Sequence, residues 1–188
     1  MLIKSKTELK NAIEKDEKAN LGKKITAEVK FRKSFPYTAC KYLKLLRKSE
    51  YACYRRDNGK SFLKKKLLSQ KVKVLDRKKN ELGLLAGIDI PTGKVEAGVR
   101  IAHPNVILNG YVGEGCVFHG NNVLGNKRTG DKTGIPKLGK NVDVGVGAII
   151  IGDVEIADGC VIGAGAVVTK SFLKPETVIV GVPAKAVE

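Results

Sequence analysis

The chain has 188 residues, of which 43% are hydrophobic and 29% charged, enough for one medium-sized domain with an appendage. Lys and Arg outnumber Asp and Glu by 35 to 19, and the whole excess lies in residues 1–86, which carry a net charge of +16. No apolar stretch approaches the roughly 20 residues of a membrane span, and residues 1–18 lack the apolar core of a signal peptide. The composition therefore argues against an integral membrane protein, and we expect a cytoplasmic one.

The basic half contains three segments of helical character. Residues 4–19 are helix-prone but weakly amphipathic, which fits either a solvated helix or a partly ordered arm. Residues 37–56 combine Tyr and Leu with Lys and Arg at helical spacing and predict an amphipathic helix with a basic face. After turn residues at 57–59, a second basic helix is expected from residue 60 to about residue 85. Residues 1–86 are thus predicted to form a basic α-helical region.

Three interpretations of these basic helices remain open. The first is a solvated face that covers the end of the next domain. The second is a surface attracted to an anionic membrane or to an acidic, lipid-carried glycan. The third is a nucleic-acid interface. Clustered lysines near an anionic membrane contribute roughly 1 kcal/mol each, which would place the protein at the inner membrane face. Nucleic acid is the least favoured partner, because the chain has no zinc-ligand spacing, aromatic RNA platform or recognition-helix turn.

The second half of the chain is dominated by a period of six. Neither an α-helix nor a flat strand keeps that period, whereas a short strand followed by a corner does. Three such hexads make one triangular coil, and stacked coils bury a continuous apolar column. The strict repeat is carried by Leu138, Val144, Ile150, Ile156, Ile162 and Val168, with a less regular one at Val95, Ile101, Ile107, Val112, Phe118 and Leu124.

The repeat is interrupted between Leu124 and Leu138. A polar, Gly-containing stretch of this length cannot lie within a coil, so residues 126–137 are predicted to project from it as a loop. Loops that project from a rigid scaffold commonly carry function. We therefore expect a β-helical domain over residues 87–188 with one projecting loop.

The hexads resemble the hexapeptide-repeat acyltransferases, whose fold is a left-handed parallel β-helix. The motifs GIDIPTGKVEAGVRIAHP, PKLGKNVDVGVGA, GAGAVVTKSF and VGVPAKAV are similar to the serine acetyltransferase branch and to its relatives that acetylate capsule or other surface sugars. This likeness covers residues 88–187, about half of the chain. It implies a mainly β fold behind an α-helical N-terminal region, acetyl-CoA as the acyl donor, no metal, and a homotrimer, with pairing into hexamers left open.

The catalytic residues that the resemblance implies are His103 and Asp89. His103 follows the inward-facing Ile101 by two residues, so its side chain is expected beside a corner, where an imidazole can take a proton from a hydroxyl. In the resembled family an aspartate at the position of Asp89 holds that imidazole in one tautomer. Asp89 could instead bond its own turn before Pro91. His119 is interpreted mainly as a structural residue.

The resemblance also implies where the donor binds. Acetyl-CoA lies along a groove between neighbouring β-helices, where small corner residues contact its pantetheine arm and lysines meet its phosphates. Each of these lysines could equally well be a solvated surface residue that does not bind the donor. The implied positions are Gly145, Val146, Gly163 and Ala164 for the arm, Gly125 near the thioester, and Lys170 and Lys185 for the phosphates.

Two departures from the resembled pattern bear on the acceptor. The family has an aspartate before the catalytic histidine where this chain has Ala102, and an Arg-His pair where this chain has Gly134 and Ile135. Without those charges the amino and carboxylate groups of serine have little to bind. We therefore expect a saccharide hydroxyl as acceptor, with Ala102, His119 and Arg128 as weaker substrate-binding candidates. Serine O-acetylation and a non-catalytic trimeric scaffold are the alternatives.

Overall fold

A computed structural model describes residues 2–22, 25–27, 31, 34–128 and 134–187. Within these residues, three long helices come first: α1 (Lys6–Leu21), α2 (Phe35–Asp57) and α3 (Phe62–Ala86). Serine hydroxyls cap the starts of α1 and α3 by accepting from a backbone N–H three residues on. Gly22 and Gly87 end the same helices in the left-handed conformation that glycine tolerates best. Serine caps and terminal glycines thus set the limits of α1 and α3.

The two long basic helices were predicted to within two residues at each end. The first segment is a helix and not a loose arm, because Ala12 and Asp16 are buried. The basic face is only partly solvated. Lys79 is buried, and its Nζ donates to the backbone oxygen of Ile90 at 2.9 Å. Phe62 and Leu63 of α3, by contrast, are exposed.

Fourteen short strands in the described part of the chain wind into a parallel β-helix with three faces. The first face holds β1 (Ile88–Asp89), β3 (Val106–Leu108), β6 (Asn122–Gly125), β9 (Ile149–Ile151) and β12 (Val167–Val168). The second holds β4 (Tyr111–Val112), β7 (Lys137–Leu138) and β10 (Glu155–Ile156). The third holds β2 (Arg100–Ile101), β5 (Val117–Phe118), β8 (Asp143–Val144), β11 (Val161–Ile162), β13 (Val178–Val180) and β14 (Lys185–Val187).

The core of the β-helix is the column that the hexads predict, with one correction. Ile107 is 44% exposed, and its neighbours Val106 and Leu108 face inward instead, with Leu108 paired to Leu124. Along the third face, each inward residue pairs in register with its counterpart one coil away, and every member is at most 1% exposed. Because each coil presents a single large aliphatic or aromatic side chain per face, only stacking buries it fully. The column on this face consists of Ile101, Phe118, Val144, Ile162 and Ile179.

The predicted projecting loop over residues 126–137 ends earlier than expected, because the chain is packed against its coil again from Ile135 onward. Residues 129–133 lie outside the described residues. Ile135 and Pro136 are already buried, and Pro136 accepts a hydrogen bond from the backbone N–H of Tyr111 at 2.8 Å. The chain has therefore rejoined its coil before β7 begins at Lys137.

A buried charged cluster joins α1 and α2 to each other. The Arg47 guanidinium donates to Asp16 Oδ2 at 2.8 Å through Nε and to both Glu50 oxygens at 3.2 Å through Nη1. Side chains in this cluster are 1–2% exposed. Burial by itself would lower the pKa of Arg47, but the two carboxylates outweigh it and hold that pKa above its ordinary value. The guanidinium is therefore a permanent buried charge.

The same cluster fastens the helices to the first coil of the β-helix. Arg47 donates to the backbone oxygens of Val95 at 2.7 Å and Glu96 at 2.9 Å. Asp16 accepts from the backbone N–H of Gly98 at 2.8 Å, so both ends of the ion pair also bind main chain. The period-six pattern contains no sign of this junction, and the sequence did not predict it.

Candidate active-site groove

His103 stands at the corner between the third and first faces, two residues after β2, and is exposed as predicted. Gly120 lies beside it one coil further on. A Cβ placed on Gly120 would come 2.7 Å from the Cβ of His103, and Gly120 has a φ of 111°, which other residues rarely adopt. Gly120 therefore provides the space that His103 occupies.

The same corner in successive coils forms one open groove with a volume of about 570 Å³. It brings together both histidines and all four residues that the sequence assigns to the pantetheine arm. His119, Gly145 and Gly163 each directly follow a strand of the third face, so the coil register aligns them, and His103 lies one position further along its own coil, level with Val146 and Ala164. The groove is lined by His103, His119, Asp143, Gly145, Val146, Val161, Ile162, Gly163 and Ala164.

His119 has a partner that sequence reasoning missed. Its Nε2 lies 2.9 Å from Asp143 Oδ1, and the two side chains are 45% and 46% exposed. Asp143 lies in β8, whose strand pairs with β5 directly before His119. The hexads alone do not give this pairing, because it requires Phe118 to stack on Val144 across the interruption between Leu124 and Leu138.

Asp89 lies elsewhere on the monomer. Its strand β1 pairs with β3, so Asp89 stands beside Ile107 and lines a second cavity that also includes Asn105. Among the described residues, no hydrogen bond or ion pair joins Asp89 to His103. The role of Asp89 in orienting the base therefore stays a prediction.

The small corner residues allow neighbouring coils to approach closely. Gly145 donates its backbone N–H to Ile162 at 2.7 Å, and a Cβ on Gly145 would lie 2.6 Å from the backbone nitrogen of Ala164. Glycine is thus required here by packing as well as by any ligand. Gly125 ends β6 on the first face and does not line this groove.

The remaining site predictions fall outside the groove. Lys170 lies over the Phe172 ring, with Nζ 5.5 Å from the centroid, and Lys185 begins β14. Ala102 is half-buried, with its backbone N–H bonded to Phe118. Arg128 is exposed, next to residues that the structure does not describe. The functional roles of these four residues stay predictions.

Metal ligation and membrane insertion were checked over the described ranges. No group of three or more His, Cys, Asp or Glu side chains there could hold a metal ion. None of the helices in the same ranges is long and apolar enough to cross a bilayer.

Comparisons with known proteins agree with this architecture. The family described as bacterial transferase hexapeptide (six repeats) matches residues 136–170. The serine acetyltransferase of Buchnera aphidicola subsp. Schizaphis graminum is 31% identical over 117 residues, which cover 58% of this chain and 43% of that protein. The serine acetyltransferase of Escherichia coli K12 is 36% identical over 118 residues, covering 57% and 41%. Soybean serine acetyltransferase apoenzyme superposes with a TM-score of 0.73 at 20% identity, over 95% of this chain and 69% of that one.

The fold is therefore the left-handed parallel β-helix of the hexapeptide-repeat transferases, as the sequence predicted. Within that class, the chain is similar in sequence to serine acetyltransferases, and the match spans less than half the length of the two bacterial relatives. The relatives give no support to the expected saccharide acceptor. Their names favour the alternative acceptor, serine.

Proposed function

We propose that the protein is an acetyl-CoA-dependent O-acetyltransferase whose acceptor is L-serine or a close analogue. One observation carries the proposal: the predicted base, His103, shares a single groove with the four predicted pantetheine-contacting residues. The serine acetyltransferases that the chain resembles in sequence support the reaction type and favour serine as the first acceptor to test. Packing between the coils accounts for the glycine corners, but a purely structural solenoid would not need an exposed histidine in the same groove.

The proposed reaction is a direct transfer without a covalent enzyme intermediate. The His103 imidazole takes the proton of the acceptor hydroxyl while the oxygen attacks the thioester carbon. A new C–O bond forms, the C–S bond breaks, and the CoA thiolate recovers the proton from the imidazolium. Glycine corners such as Gly145 and Gly163 let a donor approach the backbone closely, which suits hydrogen bonding to the pantetheine arm.

A homotrimer is part of this proposal. The groove is open to solvent in a single chain, and the third face next to it exposes Val161, Val178 and Val180, each 39–42% accessible. A second copy packed by cyclic symmetry would cover these valines and close the groove around the donor. Sedimentation analysis of the purified protein tests this part separately from catalysis.

A saccharide stays the second candidate because of the positions that depart from the family pattern. Ala102 provides no charge for an ammonium group. Ile135, which stands where the resembled family has a charged pair, is buried at 8% exposure and cannot bind a carboxylate. An uncharged polyol would lose nothing by these changes.

The test is thiol release from acetyl-CoA with L-serine and with a panel of simple sugars. We expect turnover with serine, and a loss of about 10²-fold to 10⁴-fold in kcat for His103→Ala. Lys174→Ala is a control at an exposed position outside the groove. Asp89→Asn should approach the loss of His103→Ala only if Asp89 orients the base.

Three outcomes would change the proposal. Turnover with sugars alone would move the acceptor to the saccharide class. Turnover that survives His103→Ala would remove His103 as the base. No turnover and no binding of CoA by calorimetry would favour the non-catalytic scaffold.

A further inference from the structure

We infer that His119 and Asp143 bind the ammonium group of a small amino alcohol whose hydroxyl faces His103, so that this pair selects the acceptor by its amine. The inference rests on the proposed acetyl transfer and specifies the acceptor of the same groove. None of the residues that the resemblance assigns to catalysis or to the donor performs this task.

The coil register places His119 next to Ala102, the position where the resembled family has an aspartate. Ile101 pairs with Phe118, so Ala102 and His119 occupy equivalent positions in neighbouring coils. Neighbouring strands lie about 4.8 Å apart, and the methyl group of Ala102 leaves the space beside His119 open. The polar group that the family pattern puts at position 102 therefore has a substitute one coil further along the groove.

The charge of the groove selects for a cation. Among the described residues that line it, Asp143 is the single carboxylate, and there is no Lys or Arg. His119 Nε2 lies 2.9 Å from Asp143 Oδ1, so the imidazole and the carboxylate face the same part of the groove. An ammonium group donates three hydrogen bonds and is stabilised by a nearby negative charge, whereas a carboxylate would be repelled.

A 1,2-amino alcohol is short enough to span the two histidines. His103 and His119 line one groove on adjacent coils, whose strands are about 4.8 Å apart, and the oxygen and nitrogen of such a molecule are about 3 Å apart. One end can then donate its hydroxyl proton to His103 while the other binds His119 and Asp143. L-serine, ethanolamine and glucosamine all present this group.

The structure therefore predicts that the amine of the acceptor matters more than its carboxylate. We expect kcat/KM for ethanolamine to exceed that for 3-hydroxypropanoate by at least about tenfold, since one charge-assisted hydrogen bond contributes roughly 1.5 kcal/mol or more. Glucosamine and N-acetylglucosamine provide the same comparison in a sugar. Mass spectrometry of the products verifies that acetyl is on oxygen.

Asp143→Asn is the decisive variant, because it keeps the shape of the side chain and removes its charge. We expect KM for ethanolamine to rise about tenfold or more while KM for acetyl-CoA stays unchanged, and the preference over 3-hydroxypropanoate should disappear. Asp153→Asn, an exposed aspartate outside the groove, is the matched control. Ala102→Asp in the Asp143→Asn background should recover part of the lost preference.

A binding measurement decides the inference even without turnover. The chain has two histidines, so its NMR spectrum contains two imidazole Cε1–H signals, which His119→Gln assigns. Adding ethanolamine should shift the His119 signal in the wild type but not in Asp143→Asn. Absence of this shift, or equal use of 3-hydroxypropanoate, overturns the inference while leaving the acetyl transfer intact. Failure of the proposed function would appear instead as no thiol release with any acceptor.

Discussion

The helical half and the β-helical half of this molecule are stabilised in different ways. Residues 87–188 carry no net charge and bury a repeating column of aliphatic side chains, of which Val144 and Ile150 are completely buried. Residues 1–86 carry the whole net charge of +16, and their junction with the first coil combines apolar contacts of α2 with one buried guanidinium, Arg47, and its two carboxylates. A repeated apolar contact spreads stability over many equivalent sites, whereas a charged cluster concentrates it in one.

The largest expected effect is at the charged cluster. Arg47→Met leaves Asp16 and Glu50 buried without a cation, which typically costs about 3–5 kcal/mol. Urea unfolding followed by circular dichroism should show the helical signal lost at lower denaturant than in the wild type. If the midpoint does not move, the cluster does not fasten the helices.

A variant that removes all three charges separates the charge from the packing. The triple variant of Asp16→Asn, Arg47→Met and Glu50→Gln leaves no uncompensated ion, so we expect it to be more stable than Arg47→Met alone. A triple variant that is less stable than the single one would indicate that the cluster acts mainly through its hydrogen bonds to main chain.

The next largest effect is within the aliphatic column. Ile150→Ala removes a side chain with no solvent exposure and should lower the free energy of unfolding by about 2–5 kcal/mol. Ile107→Ala is the matched control, because Ile107 lies on the same face but is 44% exposed. Equal losses for the two variants would contradict the assignment of inward and outward positions.

Buried thiols in both halves predict a smaller, pH-dependent effect. Burial is the main cause that raises the pKa of Cys40 to about 12 and that of Cys116 to about 11, both from 9.0. Above 9.0 the unfolded chain loses these protons while the folded chain keeps them, so stability falls as pH rises. We expect a loss of roughly 1 kcal/mol for each thiol between about pH 9 and about pH 10, measured by urea unfolding. Cys116→Ala should flatten this slope, and an unchanged slope would contradict the cause.

The smallest effect concerns the exposed ion pair between the two halves. Lys15 Nζ lies 2.6 Å from Glu114 Oε1, and both side chains are about half exposed. A pair of this kind contributes about 0–1 kcal/mol and weakens in salt. Glu114→Gln should therefore change stability far less than Arg47→Met, and the small difference should vanish in high salt.

The two halves also differ in how far the sequence predicted them. Each hexad repeats the same local pattern, so it predicts the strands, the faces and most inward residues without knowledge of distant contacts. The exception is the irregular step from Ile107 to Val112, where Val106 and Leu108 face inward and Ile107 does not. Arg47, by contrast, is one of many basic residues in the first half. Only the packing of α1, α2 and the first coil distinguishes it from the lysines that stay in solvent.

The groove illustrates the same limit at the level of single residues. The corner position of His103 and the glycine strip at Gly145 and Gly163 were predicted, because each depends on its own hexad. The pairing of His119 with Asp143 depends on how one coil sits upon the next across the interruption after Leu124. Sequence spacing alone does not give that register when the connecting loop is irregular.

The direction of β14 affects whether a further coil can be added to the solenoid at this edge. Every other strand pair is parallel across the described strands, but β14 runs antiparallel to β13 and forms the outer edge of the third face. A further copy stacked end to end would need a parallel edge to continue the winding. The antiparallel strand, which begins with the exposed Lys185, offers a poor template for such stacking. The direction of β14 thus disfavours the addition of another parallel coil at this edge.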